Sequence, residues 1–237
     1  MVQVKKQKIA VLIPVFNEEG SIAQVLTDIP RALVNEVVVI NNGSSDRSAE
    51  VAQAHNATIL HESERGYGSA CLKGIEYVNK YLKPDLVVFL DGDYSDYPED
   101  MIKLVEKINE GYDFVIGSRI LGMDQFGAHL PYHSVVGNKI ATFLIRIFFG
   151  GSYTDLGPFR AIRSVKLNEL GMQDRNYGWT MEMQIKALRK KLKITEIPVR
   201  YRERYSGKSK VTGSFWGGLK AFLKITYIVA LYFLRIK

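Results

Sequence analysis

The chain of 237 residues alternates short apolar runs with segments of helical periodicity, and no other feature constrains its fold as strongly. Runs rich in Val, Ile, Leu and Phe indicate buried strands, whereas apolar residues three or four positions apart indicate helices. A repeated strand–helix order predicts an α/β fold with a mostly parallel central sheet and helices on both faces. The predicted strands are 9–13, 37–40, 58–60, 86–90 and 114–117, and the predicted helices are 21–29, 48–55, 68–81, 101–109, 135–149 and 180–190.

Composition limits the class of protein. Hydrophobic residues make up 46% of the chain, which is enough for a large core and argues against disorder. The single cysteine, Cys71, excludes an internal disulfide framework and a cysteine-cluster metal site, so a reducing cytoplasm is expected. The apolar run after Lys8 is short and ends at Pro14, which favours a first strand over a signal peptide.

Charge is distributed unevenly along the chain. Residues 186–237 contain 14 Lys/Arg and 2 Asp/Glu, whereas the preceding residues contain 18 and 23. A strongly basic C-terminal part is typical of proteins with a phosphate-rich partner: nucleic acid, anionic lipid or a diphosphate ligand.

A polar, turn-rich cluster follows each predicted strand. Ligands of open parallel sheets bind at the carboxyl ends of the strands, so these clusters are expected to line one crevice. Each cluster also has a structural interpretation, because Asn, Gly, Ser and Asp are the usual turn residues. In chain order the clusters read PVFNEEG, NNGSSD, ERGYG, DGDYSD and GSR.

The fourth cluster carries the clearest chemistry. Asp91 and Asp93 stand one residue apart at a strand end, and Gly92 allows a sharp backbone path between them. Mg²⁺ and Mn²⁺ prefer oxygen ligands shared between protein and substrate phosphates, so the pair predicts a divalent cation site. Glu99 and Asp100 are interpreted as charging the start of the helix signalled by Pro98.

Other cofactor motifs are weak or missing. GYGSAC at 66–71 is an incomplete dinucleotide fingerprint, with Cys71 at its last position. The sequence contains neither a G-x-x-x-x-G-K-[ST] phosphate loop nor a G-x-S-x-G nucleophile elbow.

The C-terminal part has two features of its own. Arg200, Arg202 and Arg204 recur with period two before a Ser-Gly-Lys-Ser-Lys loop, which suits phosphate binding better than a solvated strand. Residues 213–237 interleave aromatic residues with basic ones, as in a helix at a membrane interface; a helix packed on the domain or in a dimer is the alternative. Their longest uncharged stretch, 225–234, is too short to span a bilayer.

Seven segments together resemble glycosyltransferase family 2, and within it the dolichol-phosphate mannose synthase and polyprenyl-phosphate glycosyltransferase branch. The resemblance extends over roughly residues 9–214. The segments are VLIPVFNEEGSIAQVL, INNGSSDRSAEVA, FLDGDYSDYPED, DFVIGSR, TDLGPFRAI, GWTMEMQIKA and IPVRYRERYSGKSKVTGS.

The resemblance implies a GT-A fold over residues 1–212, followed by the C-terminal helix 213–237. It implies that Asp91 lies near the ribose or the metal and that Asp93 is a direct ligand of Mg²⁺ or Mn²⁺. It also implies a set of residues around the nucleotide sugar and its phosphates. These are Pro14, Asn17, Glu18, Asn41, Asn42, Gly66, Gly92, Arg119, Arg204 and Lys210.

Two segments depart from the family pattern. Asn41 and Asn42 replace an aspartate pair, so a hydrogen bond to the base would come from an uncharged amide. DLGPFR is one residue shorter than the usual spacing between Asp155 and Arg160, which leaves the acceptor side open.

The expected reaction is the inverting transfer of a hexose from a GDP- or UDP-linked donor to a polyprenyl phosphate. A lipid phosphate is already anionic, whereas a hydroxyl acceptor needs a general base, for which Asp155 and Glu182 are the candidates. Asp93 and Arg119 complete the predicted catalytic set. A soluble acceptor, or a non-catalytic nucleotide- or nucleic-acid-binding module, is the alternative.

The expected location is the cytoplasm, peripheral on the inner membrane face. No nucleic-acid partner is expected, since the basic residues adjoin the predicted crevice and no stacking motif is present. The oligomeric state stays open, with a homo-oligomer among the options.

Overall fold

A computed structural model describes residues 7–127, 130–205, 229–232 and 234. It contains one seven-stranded sheet in the order β3-β2-β1-β4-β6-β5-β7. The strands are β1 (Ile9–Val15), β2 (Glu36–Asn41), β3 (Thr58–His61), β4 (Leu86–Phe89), β5 (Phe114–Ser118), β6 (Arg160–Arg163) and β7 (Ile194–Pro198).

The prediction of a mostly parallel sheet is confirmed. Only β6 runs antiparallel, paired with β4 on one side and β5 on the other. Neither β6 nor β7 was predicted, because the sequences RAIR and ITEIP lack a continuous apolar run. All other strands point the same way, so their carboxyl ends share one edge of the sheet.

Helices cover both faces of the sheet. Their bounds agree with the sequence to within a few residues, and α4 agrees at both ends; α5 and α7 were not predicted. They are α1 (Ile22–Asp28), α2 (Ser48–Ala54), α3 (Tyr67–Tyr77), α4 (Met101–Asn109), α5 (Arg119–Phe126), α6 (Tyr132–Phe149), α7 (Ser164–Leu170) and α8 (Trp179–Arg189).

Alternation along β1 builds the core on both faces. Ile9, Val11 and Ile13 pack in one cluster with α1, α2 and α4. Ala10 and Leu12 point the other way, toward α3, α7 and α8. The central strands are therefore buried on both sides, as expected for parallel strands covered by helices.

A third cluster lies outside the sheet. Ala141 and Ile145 of α6 pack against Ile185 of α8, with Val229 and Tyr232 from the C-terminal end of the chain. The segment 213–237, predicted to be an interfacial helix, otherwise lies mostly outside the described residues, as does Lys210. Within the described part, no helix combines the length and apolar character needed to cross a membrane.

Candidate functional site: a crevice at the carboxyl edge of the sheet

The polar clusters that follow strands β1 to β5 all meet at a cavity of about 600 Å³. Nine of the predicted site residues line it. They are Pro14, Glu18, Asn42, Gly66, Asp91, Gly92, Asp93, Arg119 and Arg204.

Asp91 and Asp93 stand in the cavity but have different surroundings. Asp93 Oδ1 accepts hydrogen bonds from the backbone N–H and the hydroxyl of Ser95, at 2.9 and 2.6 Å. Asp91 Oδ1 is buried without a hydrogen-bond partner among the described residues. Gly92 between them is constrained by packing, since a Cβ there would lie 2.9 Å from Val15 Cγ2.

The electrostatics favour a cation beside these carboxylates. Burial of the Asp91 carboxyl and the negative charge of Asp93 raise the pKa of Asp91 to about 7. An unpartnered carboxylate oxygen beside a second carboxylate fits a divalent cation that keeps other oxygen ligands from water and phosphate. No group of three or more His, Cys, Asp or Glu residues within the described ranges could hold a metal by itself. A metal here would therefore need further ligands from water or the substrate.

Arg204 supplies positive charge at the same place. Its guanidinium lies 2.8 Å from Asp93 Oδ2 and 3.2 Å from Glu18 Oε1. Both carboxylates are buried, and the Arg204 side chain is partly exposed to the cavity. The guanidinium thus occupies the position where a metal–diphosphate group would be expected to contact Asp93.

The neighbouring arginines, in contrast, do not face the cavity. Arg200 donates hydrogen bonds to both carboxylate oxygens of Asp100. Arg202 stacks on Tyr94 at 3.5 Å and on Tyr97 at 3.9 Å. Of the three arginines predicted to bind phosphate, Arg204 lines the cavity, whereas Arg200 and Arg202 do not. Asp100 pairs with Arg200, and its side chain accepts no capping hydrogen bond from the backbone of α4.

The turns after β1 and β2 brace each other. Asn17 has a left-handed backbone (φ 56°), and its Oδ1 accepts from Ser45 N at 2.8 Å. Asn41 Oδ1 accepts from Ser44 N, also within the second turn. Neither residue lines the cavity, so their predicted contact with the nucleotide stays a prediction; in this structure both support the turns.

Asn42 lines the cavity with an amide that is already engaged. Its Nδ2 donates to the carbonyls of Glu62 and Glu64, and its Oδ1 accepts from Gly66 N at 2.8 Å. Both donors are used, so a base cannot be read by this amide as a donor. Asn42 instead fixes the loop that leads into α3.

Asp155, a predicted general base, does not line the cavity. It is 0% exposed, and Arg119 binds both of its oxygens, from Nε and from a terminal nitrogen, each at 2.8 Å. Burial alone would raise the pKa of Asp155, but the Arg119 guanidinium holds it below its ordinary value. A low-pKa carboxylate with both oxygens bound is a poor proton acceptor, so the assignment of Asp155 as a general base stays a prediction. Its contacts fix Arg119 at the cavity wall.

Glu182 is the second predicted general base. It is 0% exposed on α8 and does not line the cavity. Its carboxylate pairs with Lys186 at 2.7 Å and accepts from the backbone N–H of Gln173 and Asp174 and from the Tyr232 hydroxyl. The solvent-facing interpretation is wrong because the side chain is buried, whereas the assignment as a general base stays a prediction. In this structure Glu182 connects residues 173–174 and Tyr232 to α8.

Folding brings further residues, not predicted from the sequence, to the cavity (Arg65 and Phe16) or into the buried structure outside its lining (Asp96 and Arg160). Arg65 stacks on the Phe16 ring at 4.1 Å, and both line the cavity. Asp96 is 2% exposed, and neither of its carboxyl oxygens has a hydrogen-bond partner among the described residues. Arg160 is fully buried and holds the crevice wall by donating to the carbonyls of Leu156, Gly157 and Thr180. ERGYG signalled Arg65, but no spacing rule distinguishes Asp96 or Arg160 from turn and strand residues.

Comparison with known proteins gives a consistent picture. The family model described as Glycosyl transferase family 2 matches residues 10–171. An uncharacterized glycosyltransferase of Mycobacterium tuberculosis is 32% identical over 222 residues, which is 94% of this chain and 98% of that protein. A dolichyl-phosphate hexose transferase of Haloferax volcanii is 33% identical over 215 residues, 89% of each chain.

Solved structures share the fold. The glucosyl-3-phosphoglycerate synthase of Mycobacterium tuberculosis, in complex with Mn²⁺, UDP and glucosyl-3-phosphoglycerate, superposes with a TM-score of 0.72 at 19% identity. The match covers 94% of this chain and 80% of the synthase. The GT-A fold predicted from the sequence is confirmed at this level.

Proposed function

Because this chain belongs to glycosyl transferase family 2, we propose that it transfers a hexose from a nucleotide diphosphate sugar to a polyprenyl phosphate. The observation that carries the proposal is the arrangement of Asp91, Asp93 and Arg204 in one crevice at the carboxyl edge of the sheet. Two carboxylates, one of them paired with a guanidinium that a metal ion would displace, form a site for a metal-bound diphosphate.

The leaving group sets the electrostatic demand. Negative charge grows on the departing diphosphate as the bond to the sugar carbon breaks, and fixed positive groups stabilise that charge by several kcal/mol. A divalent Mg²⁺ or Mn²⁺ ion held by Asp91 and Asp93 would act as a Lewis acid at the diphosphate oxygens. Arg204 and Arg119 line the same cavity and are placed to donate hydrogen bonds to phosphate oxygens.

The shortage of a free base favours an acceptor that is already anionic. Among the described residues that line the cavity, the carboxylates are Glu18, Asp91 and Asp93. Arg204 pairs with Glu18 and Asp93, and the proposed cation engages Asp91 and Asp93. A phosphate oxygen of the acceptor can attack the sugar carbon without losing a proton to the enzyme, whereas a hydroxyl acceptor requires a base.

Similarity to relatives supports the acceptor class. Dolichyl phosphate appears in the name of the Haloferax volcanii relative and in that of a Methanococcus voltae UDP-N-acetylglucosamine transferase, 28% identical over 214 residues. We extend the proposal to an inverting displacement and to a peripheral position on the inner membrane face, where such an acceptor would be found.

The test is transfer of radiolabel from UDP- and GDP-hexoses, with Mg²⁺ or Mn²⁺, into solvent-extractable polyprenyl phosphate. Asp93→Asn is expected to lower transfer at least about a hundredfold. The matched control is Asp124→Asn, the same change at an exposed aspartate of α5 outside the cavity, which should leave transfer unchanged.

Three results would change the proposal. Donor consumption without label in the lipid phase indicates a soluble acceptor. Full transfer by the Asp93→Asn protein removes the diphosphate site from the mechanism. A protein that binds nucleotide but transfers to no acceptor is a binding module.

A further inference from the structure

Helix α6 carries an apolar stripe on its outer surface. Five large side chains stand at positions 132, 136, 140, 143 and 147, which is the three- and four-residue spacing of one helix face. Tyr132 is 82% exposed, Phe143 60% and Ile147 61%, and Val136 and Ile140 are also exposed. With residues roughly 100° apart, the five occupy an arc about 80° wide. We call this set the α6 stripe.

The opposite face of α6 is already used. Ala141 and Ile145 are fully buried in the third hydrophobic cluster, against α8 and Val229. The stripe therefore does not result from a helix that lacks a core contact. An exposed row of large apolar side chains on a helix that is already anchored is typical of a docking surface.

Charge around α6 indicates which partner fits. The sequence contains no Asp or Glu between Asp124 and Asp155, whereas Lys139 and Arg146 are exposed on one flank of the stripe, seven residues apart. Two copies joined through their α6 stripes would bring these cations together with no acidic residue of α6 to pair them. Residues 206–228 of the same chain contain four lysines and no acidic residue, so this segment also offers no negative charge to pair with Lys139 and Arg146.

We propose that the α6 stripe docks into the interface of a bilayer that contains anionic lipid. Apolar side chains at the headgroup boundary flanked by Lys and Arg are the pattern of a helix that lies in the membrane plane. The basic side chains can extend along the helix to reach lipid phosphates while the stripe leaves water.

Docking through α6 would bring the crevice close to a lipid acceptor in the membrane; this step rests on the proposed function. Asn138 donates from Nδ2 to Thr154 O and accepts at Oδ1 from Leu156 N, both at 2.8 Å. Leu156 lines the cavity. The crevice wall is thus fixed directly to α6, and a membrane surface against the stripe would lie about one helix diameter, roughly 10 Å, from that wall.

Vesicle co-sedimentation of the full chain tests the docking. The wild-type protein is expected to bind vesicles of phosphatidylcholine mixed with phosphatidylglycerol, and phosphatidylcholine alone more weakly. The stripe variant, Phe143→Ser combined with Ile147→Ser, should bind these vesicles about tenfold or more weakly. The matched control, Tyr81→Ser with Val165→Ser, removes two other exposed apolar side chains and should bind like wild type. Equal vesicle binding by the stripe variant and wild type would overturn the proposal.

A fluorescent probe separates the bilayer from other occupants. An environment-sensitive dye on Ile147→Cys can be attached selectively, because the native Cys71 is buried. The dye should report water in the free protein and an apolar environment after anionic vesicles are added. An apolar signal before vesicles are added, or one that depends on protein concentration, would assign the stripe to the chain itself or to a second copy.

Transfer to membrane-embedded and to water-soluble acceptors distinguishes failure of the docking from failure of the proposed function. The stripe variant should lose transfer to polyprenyl phosphate embedded in vesicles but keep transfer to a short, water-soluble prenyl phosphate. If the wild-type protein binds vesicles but transfers to neither acceptor, the docking is supported and the proposed function is contradicted. Equal loss with both acceptors would show that the stripe contributes to the fold of the crevice and not to docking.

Discussion

Asp91 and Asp93 are identical residues separated by one glycine, and the fold gives them different surroundings. Asp93 is fixed by Ser95 and neutralised by Arg204. Asp91 keeps a buried oxygen without a partner and has a pKa raised to about 7, chiefly by burial. The buried Asp91 oxygen that lacks a hydrogen-bond partner, more than the number of acidic residues, distinguishes this pair from an ordinary charged turn.

Arg204 leads to a prediction with opposite signs for two ligands. Arg204→Gln removes the cation that pairs with Asp93 and Glu18, so the nucleotide-free protein should bind Mn²⁺ about tenfold more tightly. The same change removes a phosphate donor, so affinity for UDP or GDP should fall by a similar factor. Titration of Mn²⁺ by electron paramagnetic resonance and of nucleotide by calorimetry measures the two effects.

Arg200→Gln is the control for that experiment, because Arg200 pairs with Asp100 and does not line the cavity. It should leave both affinities unchanged. A fall in Mn²⁺ affinity for Arg204→Gln would show that Arg204 organises the carboxylates and does not compete with a cation.

Asp96 predicts a stability that depends on pH. Burial, followed by the charges of Asp91 and Asp93, raises the pKa of Asp96 well above its ordinary value. Between the ordinary value of about 4 and the raised value, the folded chain keeps a proton that the unfolded chain has lost, so stability falls as pH rises through this window. Asp96→Asn should therefore raise the free energy of unfolding at pH 8 by about 1–3 kcal/mol and change it little at pH 4.

Urea unfolding of both proteins without divalent cations, at several pH values, checks this difference. Asp124→Asn, at an exposed position, provides the baseline. A stabilisation that is the same at pH 4 and pH 8 would mean that Asp96 does not titrate in that window.

At the scale of elements, the start of α3 depends on two close backbone approaches. A Cβ at Gly66 would lie 2.0 Å from Arg175 O, and one at Gly68 would lie 1.9 Å from Asp174 O. Ser69 N donates to the same Arg175 carbonyl at 3.0 Å. The loop before α8 is therefore seated on the first turn of α3, where Gly66 and Tyr67 line the cavity.

Gly68→Ala should destabilise the protein by about 2 kcal/mol or more, because the added methyl group meets backbone that cannot rotate away. Gly137→Ala is the matched control: it lies in α6 with nothing within 4 Å of an added Cβ, and should stabilise by up to about 1 kcal/mol through helix propensity. Thermal and urea unfolding measure both. If Gly68→Ala is neutral, the 174–175 loop is not held at that distance.

The elements were predicted unevenly for physical reasons. The five apolar strands and the amphipathic helix α4 follow from local periodicity, which the sequence states directly. The antiparallel β6 begins at Arg160, a residue type seldom buried, and it is buried here because three backbone carbonyls receive its guanidinium. Two of these carbonyls belong to the turn just before β6 and the third to α8, and an apolar run, the pattern that indicates a buried strand, is absent there.

At the scale of the whole molecule, the uneven charge is partly neutralised within the chain. The basic residues after β7 pair with the acidic segment after β4: Arg200 with Asp100, and Arg204 with Asp93. Arg202 stacks on tyrosines of that same segment. The charge asymmetry therefore reflects intramolecular pairing as well as a phosphate partner, a distinction that composition alone cannot make.

Local pattern determined the α/β class, the edge of the sheet where the site lies, and the identity of the aspartate pair. Strand ends and turn residues are local properties, and parallel strands place their carboxyl ends together. The tertiary structure decided which polar residues are free to react. Asp155 and Glu182 looked like candidate bases in the sequence, but Arg119 and Lys186 occupy them, together with backbone donors. Reactivity depends on burial and on partners supplied by other elements, and those distances exist only after folding.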